Sequence, residues 1–81
     1  MKQGRIIWID NKGDYHTDSN LSYGEGQGEL VCCKTGKTYY FHSSACKSLE
    51  VFKGLARGKR VLFDLYTNLY MSQVDTIKRE V

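Results

Sequence analysis

Several things are missing from this sequence, and each absence excludes something. No apolar run approaches the ~20 residues that a membrane-spanning helix needs, so no membrane association is expected. Met1-Lys2-Gln3-Gly4 leads straight into a short strand-like run without the apolar core of a signal peptide. Cysteine is scarce: Cys32 and Cys33 are adjacent and Cys46 stands apart, which is no disulfide framework of a secreted protein. A reducing, cytoplasmic setting is the expectation. There is no repeat, low-complexity tract or linker, so the 81 residues read as one domain, 1–81, standing alone as a small factor.

The common catalytic and metal arrangements are missing too. Cys32, Cys33, His42 and Cys46 are numerous enough to hold zinc. Adjacent cysteines on a strand point to opposite faces, however, and no Cys-x-x-Cys spacing exists. Cys46 and His42 are close in sequence, but no third residue orients them for nucleophilic catalysis. The acids fall mostly in one polar loop rather than in a converging pair. Gly26-x-Gly28 lacks the downstream Lys-Ser/Thr of a phosphate loop, and a strand bulge or close packing explains it better. The expectation is a protein that is not an enzyme and needs no metal or cofactor.

What is present is charge asymmetry and aromatic strands. From Asp10 to Glu29 five acids face one lysine, whereas from Lys34 to Arg60 seven bases face one acid. The basic stretch suits a polyanionic partner, although a solvated surface of mixed charge is the plainer reading. Gly4–Asp10 reads as a first strand ending in the turn signal Asp10-Asn11-Lys12-Gly13. Residues 11–28 are polar and Gly-rich and form a long connection. Leu30–Lys34 and Lys37–Ser43 form a hairpin about Thr35-Gly36. Ser44–Arg57 includes one short helical turn. Val61–Tyr66 is the fourth strand, opened by Gly58-Lys59-Arg60, and Tyr70–Lys78 is the fifth, after the turn Thr67-Asn68.

Within the third strand, alternation puts Tyr40 and His42 on one face, and Tyr39 and Phe41 on the other. A chain this short cannot easily bury both pairs. Flat rings left exposed beside an imidazole suit the stacking of unpaired bases. Trp8 and Tyr40 have a second reading, as cover for one face of the sheet; the pairing with His42 favours stacking. For His42, a structural role and a base-contacting role both stay open. Tyr39, Phe41, Ile9, Leu30, Val61 and Phe63 read as core. Five short strands with a longer third-to-fourth connection indicate an all-β protein. A small five-stranded Greek-key β-barrel of the oligonucleotide-binding kind (OB-fold), with a long β1–β2 insertion, fits the order, and so does an SH3-like barrel.

Four motifs in order resemble those of one family. Gly4-Arg5-Ile6-Ile7-Trp8-Ile9-Asp10 resembles the Gly-(Lys/Arg)-Val-x-Trp-Phe-Asn first strand of the cold-shock domain. Tyr39-Tyr40-Phe41-His42-Ser43-Ser44-Ala45 is similar to that family's second ribonucleoprotein motif, Val-Phe-Val-His-Phe-Ser-Ala. Gly58-Lys59-Arg60-Val61-Leu62-Phe63 resembles its fourth strand, and Val74-Asp75-Thr76-Ile77-Lys78 its closing one. The first ribonucleoprotein motif, Lys-Gly-Phe-Gly-Phe-Ile, is the departure. Its best match is Glu25-Gly26-Gln27-Gly28-Glu29-Leu30, with both phenylalanines replaced; Lys12-Gly13-Asp14-Tyr15-His16 is a second register, less favoured because it alters the spacing to His42.

The resemblance implies a single-stranded RNA- or DNA-binding barrel whose stacking platform has shrunk to Trp8, Tyr40 and His42, with Lys34, Lys37, Lys59 and Arg60 meeting phosphates. Each lost ring removes about 1–3 kcal/mol of stacking, and Glu29 on the same face repels phosphate, so binding should be weak and salt-sensitive, with weak sequence readout. Tyr15, Tyr23 or His16 from the insertion are candidates to replace the lost rings. The implied role is that of an RNA chaperone or a regulator of transcription or translation. The alternative is a protein-interaction module, an adaptor or inhibitor, that keeps the barrel and has lost most nucleic-acid binding.

Overall fold

The computed structural model describes residues 1–11 and 26–80. Within them the β-branched and aromatic runs form five strands: β1 (Lys2–Asp10), β2 (Gln27–Cys32), β3 (Thr38–His42), β4 (Arg60–Thr67) and β5 (Ser72–Arg79). All pair antiparallel in the order β3-β2-β1-β4-β5. The sheet curls into a half-barrel, so that its two edges, β3 and β5, approach one another. Tyr39 on β3 reaches across the curl to Phe63 on β4, with ring centroids 5.9 Å apart and tilted 48°. The proposed insertion, apart from Asn11 and residues 26–28, lies outside the described residues, as do Tyr15, His16, Tyr23 and the second register at residues 12–16.

The concave face holds the core. Phe41, Phe52, Phe63, Ile6, Leu30, Val61 and Ile77 are fully buried, and burying a side chain of this size contributes about 1.5–3 kcal/mol. Between β3 and β4 the chain makes a single 3-10 turn (Ser43–Cys46) and a short helix α1 (Leu49–Lys53). Ser48 caps α1, its hydroxyl accepting from Val51 N–H. Phe52 and Leu55 then close one end of the core. At the other end of the helix Asn11 donates its side-chain amide to the carbonyls of Phe52 and Leu55, at 3.0 and 2.8 Å. The Phe52 carbonyl also accepts from Leu55 N–H at 3.2 Å, so the Asn11 amide is an additional donor at this helix end.

Two β-bulges set which side chains face outward. Ile6 pairs with Leu30 but Trp8 pairs with the very next residue, Glu29, so Ile7 is an extra residue on β1. Strict alternation would put Trp8 on the face of Gly4 and Ile6, which are buried. The bulge reverses the parity, turning Trp8 outward and Ile9 toward the core. On β5 the extra residue is Asp75, between Thr76 opposite Asp64 and Val74 opposite Leu65. Strict alternation would put Val74 and Ile77 on opposite faces; with the bulge both are buried.

Strand limits differ modestly from expectation, for local reasons. β2 starts at Gln27 rather than Leu30, because Gly28 lets the Phe41 ring and the Trp8 carbonyl close over it. The β2–β3 turn is wider than Thr35-Gly36, spanning residues 33–37, with Cys32 N–H bonded to the Lys37 carbonyl and Gly36 at φ +76°. β5 starts at Ser72 because the Asn68 carboxamide accepts from both Tyr70 and Met71 N–H at 2.8 and 2.9 Å, holding those residues in the turn.

Candidate functional site

The convex side of β1, β2 and β3 carries the site. Register puts Trp8, Glu29 and Tyr40 in one row across the three strands, and Asp10, Gln27 and His42 in the next. Adjacent strands lie ~4.8 Å apart, so Trp8 and Tyr40 are about 10 Å from each other with Glu29 between them. Trp8 is 37% exposed and Tyr40 53%, while Phe41 is buried and Tyr39 packs inward. The division of rings between the two faces of β3 is the one alternation requires.

Polar side chains from β2 hold the two rings. Trp8 Nε1 donates to Glu29 Oε1 at 2.9 Å, and the Tyr40 hydroxyl donates to Gln27 Oε1 at 2.6 Å. Gln27 and Glu29, neighbours in alternation on β2, thus supply both acceptors on this face. His42 is half-buried, and its Nδ1 accepts from Ser44 N–H at 3.2 Å as the cap of the 3-10 turn. That bond puts the imidazole proton on Nε2. The ring therefore serves the local backbone and still shares a face with Tyr40.

The four expected cations are spread over three places. Arg60 lies opposite Arg5 across β1 and β4, and Arg5 lies opposite Val31, in the row next to Trp8–Glu29–Tyr40. Lys34 and Lys37 sit in the β2–β3 turn, at the far end of these strands from His42. Lys59 is elsewhere: its ammonium donates to the Gly54 carbonyl at 3.0 Å, behind α1.

Arg5 belongs with the site and was not identified from sequence. Counting by twos assigns it to the face opposite Trp8, and only the Ile7 bulge brings the two together. Arg5 and Arg60, both exposed, have no ion-pair partner among the described residues. Like charges directly opposed on neighbouring strands are unfavourable in isolation. Both line a shallow depression of about 370 Å³ with Val31, Cys33 and Gly36. That surface is suited to an anion.

The cysteines do not converge. Cys32 and Cys46 are buried and Cys33 is exposed. A hydrogen bond from the Thr35 side chain, aided by backbone N–H groups of Thr35 and Lys34, holds the Cys32 thiol below its ordinary range. Burial pushes the Cys46 thiol up to about 12. No helix among the described residues is long and apolar enough to cross a membrane. Against known protein families, curated proteins and solved structures, the chain finds no match.

Proposed function

We propose that this chain is a single-stranded nucleic-acid-binding protein of the cold-shock type, an OB-fold barrel that stacks bases on Trp8, Tyr40 and His42. The observation that carries the reading is the outward row of Trp8 and Tyr40, paired through β2 and adjoining His42, on a sheet whose other face has ample apolar filling. The strand order and the approach of β3 to β5 support the barrel topology. Arg5 and Arg60, with Lys34 and Lys37 farther along, supply cations for the phosphates. The resulting activity is that of an RNA chaperone or a regulator of transcription or translation.

Trp8 is the only tryptophan, so its fluorescence reports on the site directly. Mixed-sequence single-stranded 8-mers of DNA or RNA should quench it, less strongly at high salt. Tyr40→Ala combined with His42→Ala should weaken binding by at least tenfold, from ~1–3 kcal/mol per lost stack. Unquenched emission at low salt, from a protein whose circular dichroism is native, rejects the reading.

One observation favours the second reading, a protein-interaction module on the same barrel. The β4–β5 tip exposes Leu69 by 95% and Tyr70 by 91%, with Tyr66 and Met71 beside them. No charged residue occurs from Leu65 to Val74. An exposed apolar tip of this kind fits a protein partner. A silent titration leaves it as the stronger reading.

A further inference from the structure

Glu29 is out of place on a surface meant for phosphates. It stands in the row between Trp8 and Tyr40, half-buried, without an ion-pair partner among the described residues. A carboxylate offers about four acceptor positions on its two oxygens, and the indole N–H uses one of them. Gln27, two residues earlier on the same face, commits its carbonyl to the Tyr40 hydroxyl. Its amide N–H groups make no hydrogen bond among the described residues, and Gln27 is exposed. Glu29 presents a charged acceptor between the rings, and Gln27 a neutral donor in the next row.

We propose that this pair makes the platform selective for guanine, with Glu29 accepting from the N1–H and N2 amino groups of a base stacked on Trp8 or Tyr40. The proposal rests on the nucleic-acid reading above and names its preferred base. Bases in single strands are read on their pairing edges. Guanine's is the edge with two adjacent donors, and a carboxylate meets them with two charge-assisted bonds. Its O6, next to those donors, is an acceptor for an amide N–H such as that of Gln27. Uracil and thymine offer one N–H flanked by two carbonyl oxygens, which a carboxylate repels. Adenine and cytosine each offer one amino group beside an acceptor nitrogen. Glu29 thus turns from a defect in phosphate binding into the source of base discrimination.

The test compares three single-stranded DNA 8-mers that differ only at two central positions: guanine, inosine or thymine, in a cytosine-rich context. Binding is read as the midpoint of the Trp8 titration, because guanine and thymine quench indole to different extents. Inosine lacks the N2 amino group, so its complex should be about tenfold weaker than guanine's, the loss of one hydrogen bond to a charged acceptor. Thymine should bind more weakly still. Glu29→Gln keeps a carbonyl for the Trp8 indole but removes the charge, and it should erase the guanine–inosine difference. Guanine and inosine midpoints within twofold, or an unchanged preference in E29Q, overturn the guanine assignment and leave the nucleic-acid reading standing. Binding of none of the three by the wild-type protein removes both.

Discussion

Gly28 lies where β2 passes beneath the Phe41 ring. A Cβ built there would sit 2.7 Å from Phe41 Cζ and 2.8 Å from the Trp8 carbonyl oxygen, closer than side chains tolerate. The ring can rotate a little, but the carbonyl is fixed in the ladder. Gly28→Ala should therefore cost about 2 kcal/mol, within the ~1–3 kcal/mol range for overpacking, seen as a lower urea midpoint. Gly54 is the internal comparison. Its nearest neighbours are carbonyl oxygens at 3.4 and 3.5 Å and its φ is −80°, so Gly54→Ala should leave the midpoint within about 0.5 kcal/mol. Equal losses at the two positions would refute this account of Gly28.

Cys46 makes a second prediction at the same scale, about pH. Its thiol is raised from 9.0 to about 12 by burial. Above pH 9 the unfolded chain releases this proton while the native protein retains it. The unfolded state then binds fewer protons, and stability falls as pH rises from 9 toward 12. Cys46→Ala should flatten that alkaline decline in urea titrations even if it lowers stability at pH 7. Cys33, exposed in the β2–β3 turn, should be the first of the three cysteines to be alkylated in the native state.

At the scale of elements, the link between β1 and α1 depends on one side chain. Asn11 bonds three carbonyls at the end of the helix, those of Phe52, Lys53 and Leu55. Asn11→Ala should lower stability by about 1–2 kcal/mol, because the hydrogen bonds that tie Asn11 to the Phe52 and Leu55 carbonyls are lost, and should leave Trp8 fluorescence and oligonucleotide binding intact. Loss of binding in a folded N11A protein would mean that the helix end belongs to the site. The strands themselves were legible in the sequence, since Ile6 to Ile9, Tyr39 to Phe41 and Val61 to Phe63 have the side chains that fit a half-buried pleat. The two faces of β3 were legible as well. What alternation could not show was the pair of bulges. Ile7 and Asp75 carry no local mark of being unpaired, because a bulge is a property of the partner's register. Arg5 was missed for that reason, and counting by twos likewise puts Val74 and Ile77 on different faces although both are buried. Lys59 was expected to meet phosphate together with Arg60; in the structure its ammonium donates to the Gly54 carbonyl at the C-terminal end of α1.

Across the whole molecule, the net charge of +3 is too small to describe the field. Under the proposed nucleic-acid reading the cations that count are those one row from the rings, and the Arg5–Arg60 pair has no neutralising carboxylate among the described residues. A bound polyanion would relieve their mutual repulsion. For single strands, each phosphate neutralised adds about 0.7 to the slope of log affinity against log salt. Arg5→Ala with Arg60→Ala should therefore reduce that slope by about 1.4, with a matching loss of affinity at low salt. Lys59→Ala should change the slope little, because its ammonium is engaged with Gly54 O. The contrast separates a defined anion site from diffuse attraction to a basic chain. If phosphates are held by the general field, all three substitutions reduce the slope in proportion to charge removed. If they are held beside the stacking row, only the arginine pair does, and the strand must run from the rings across β1 toward β4.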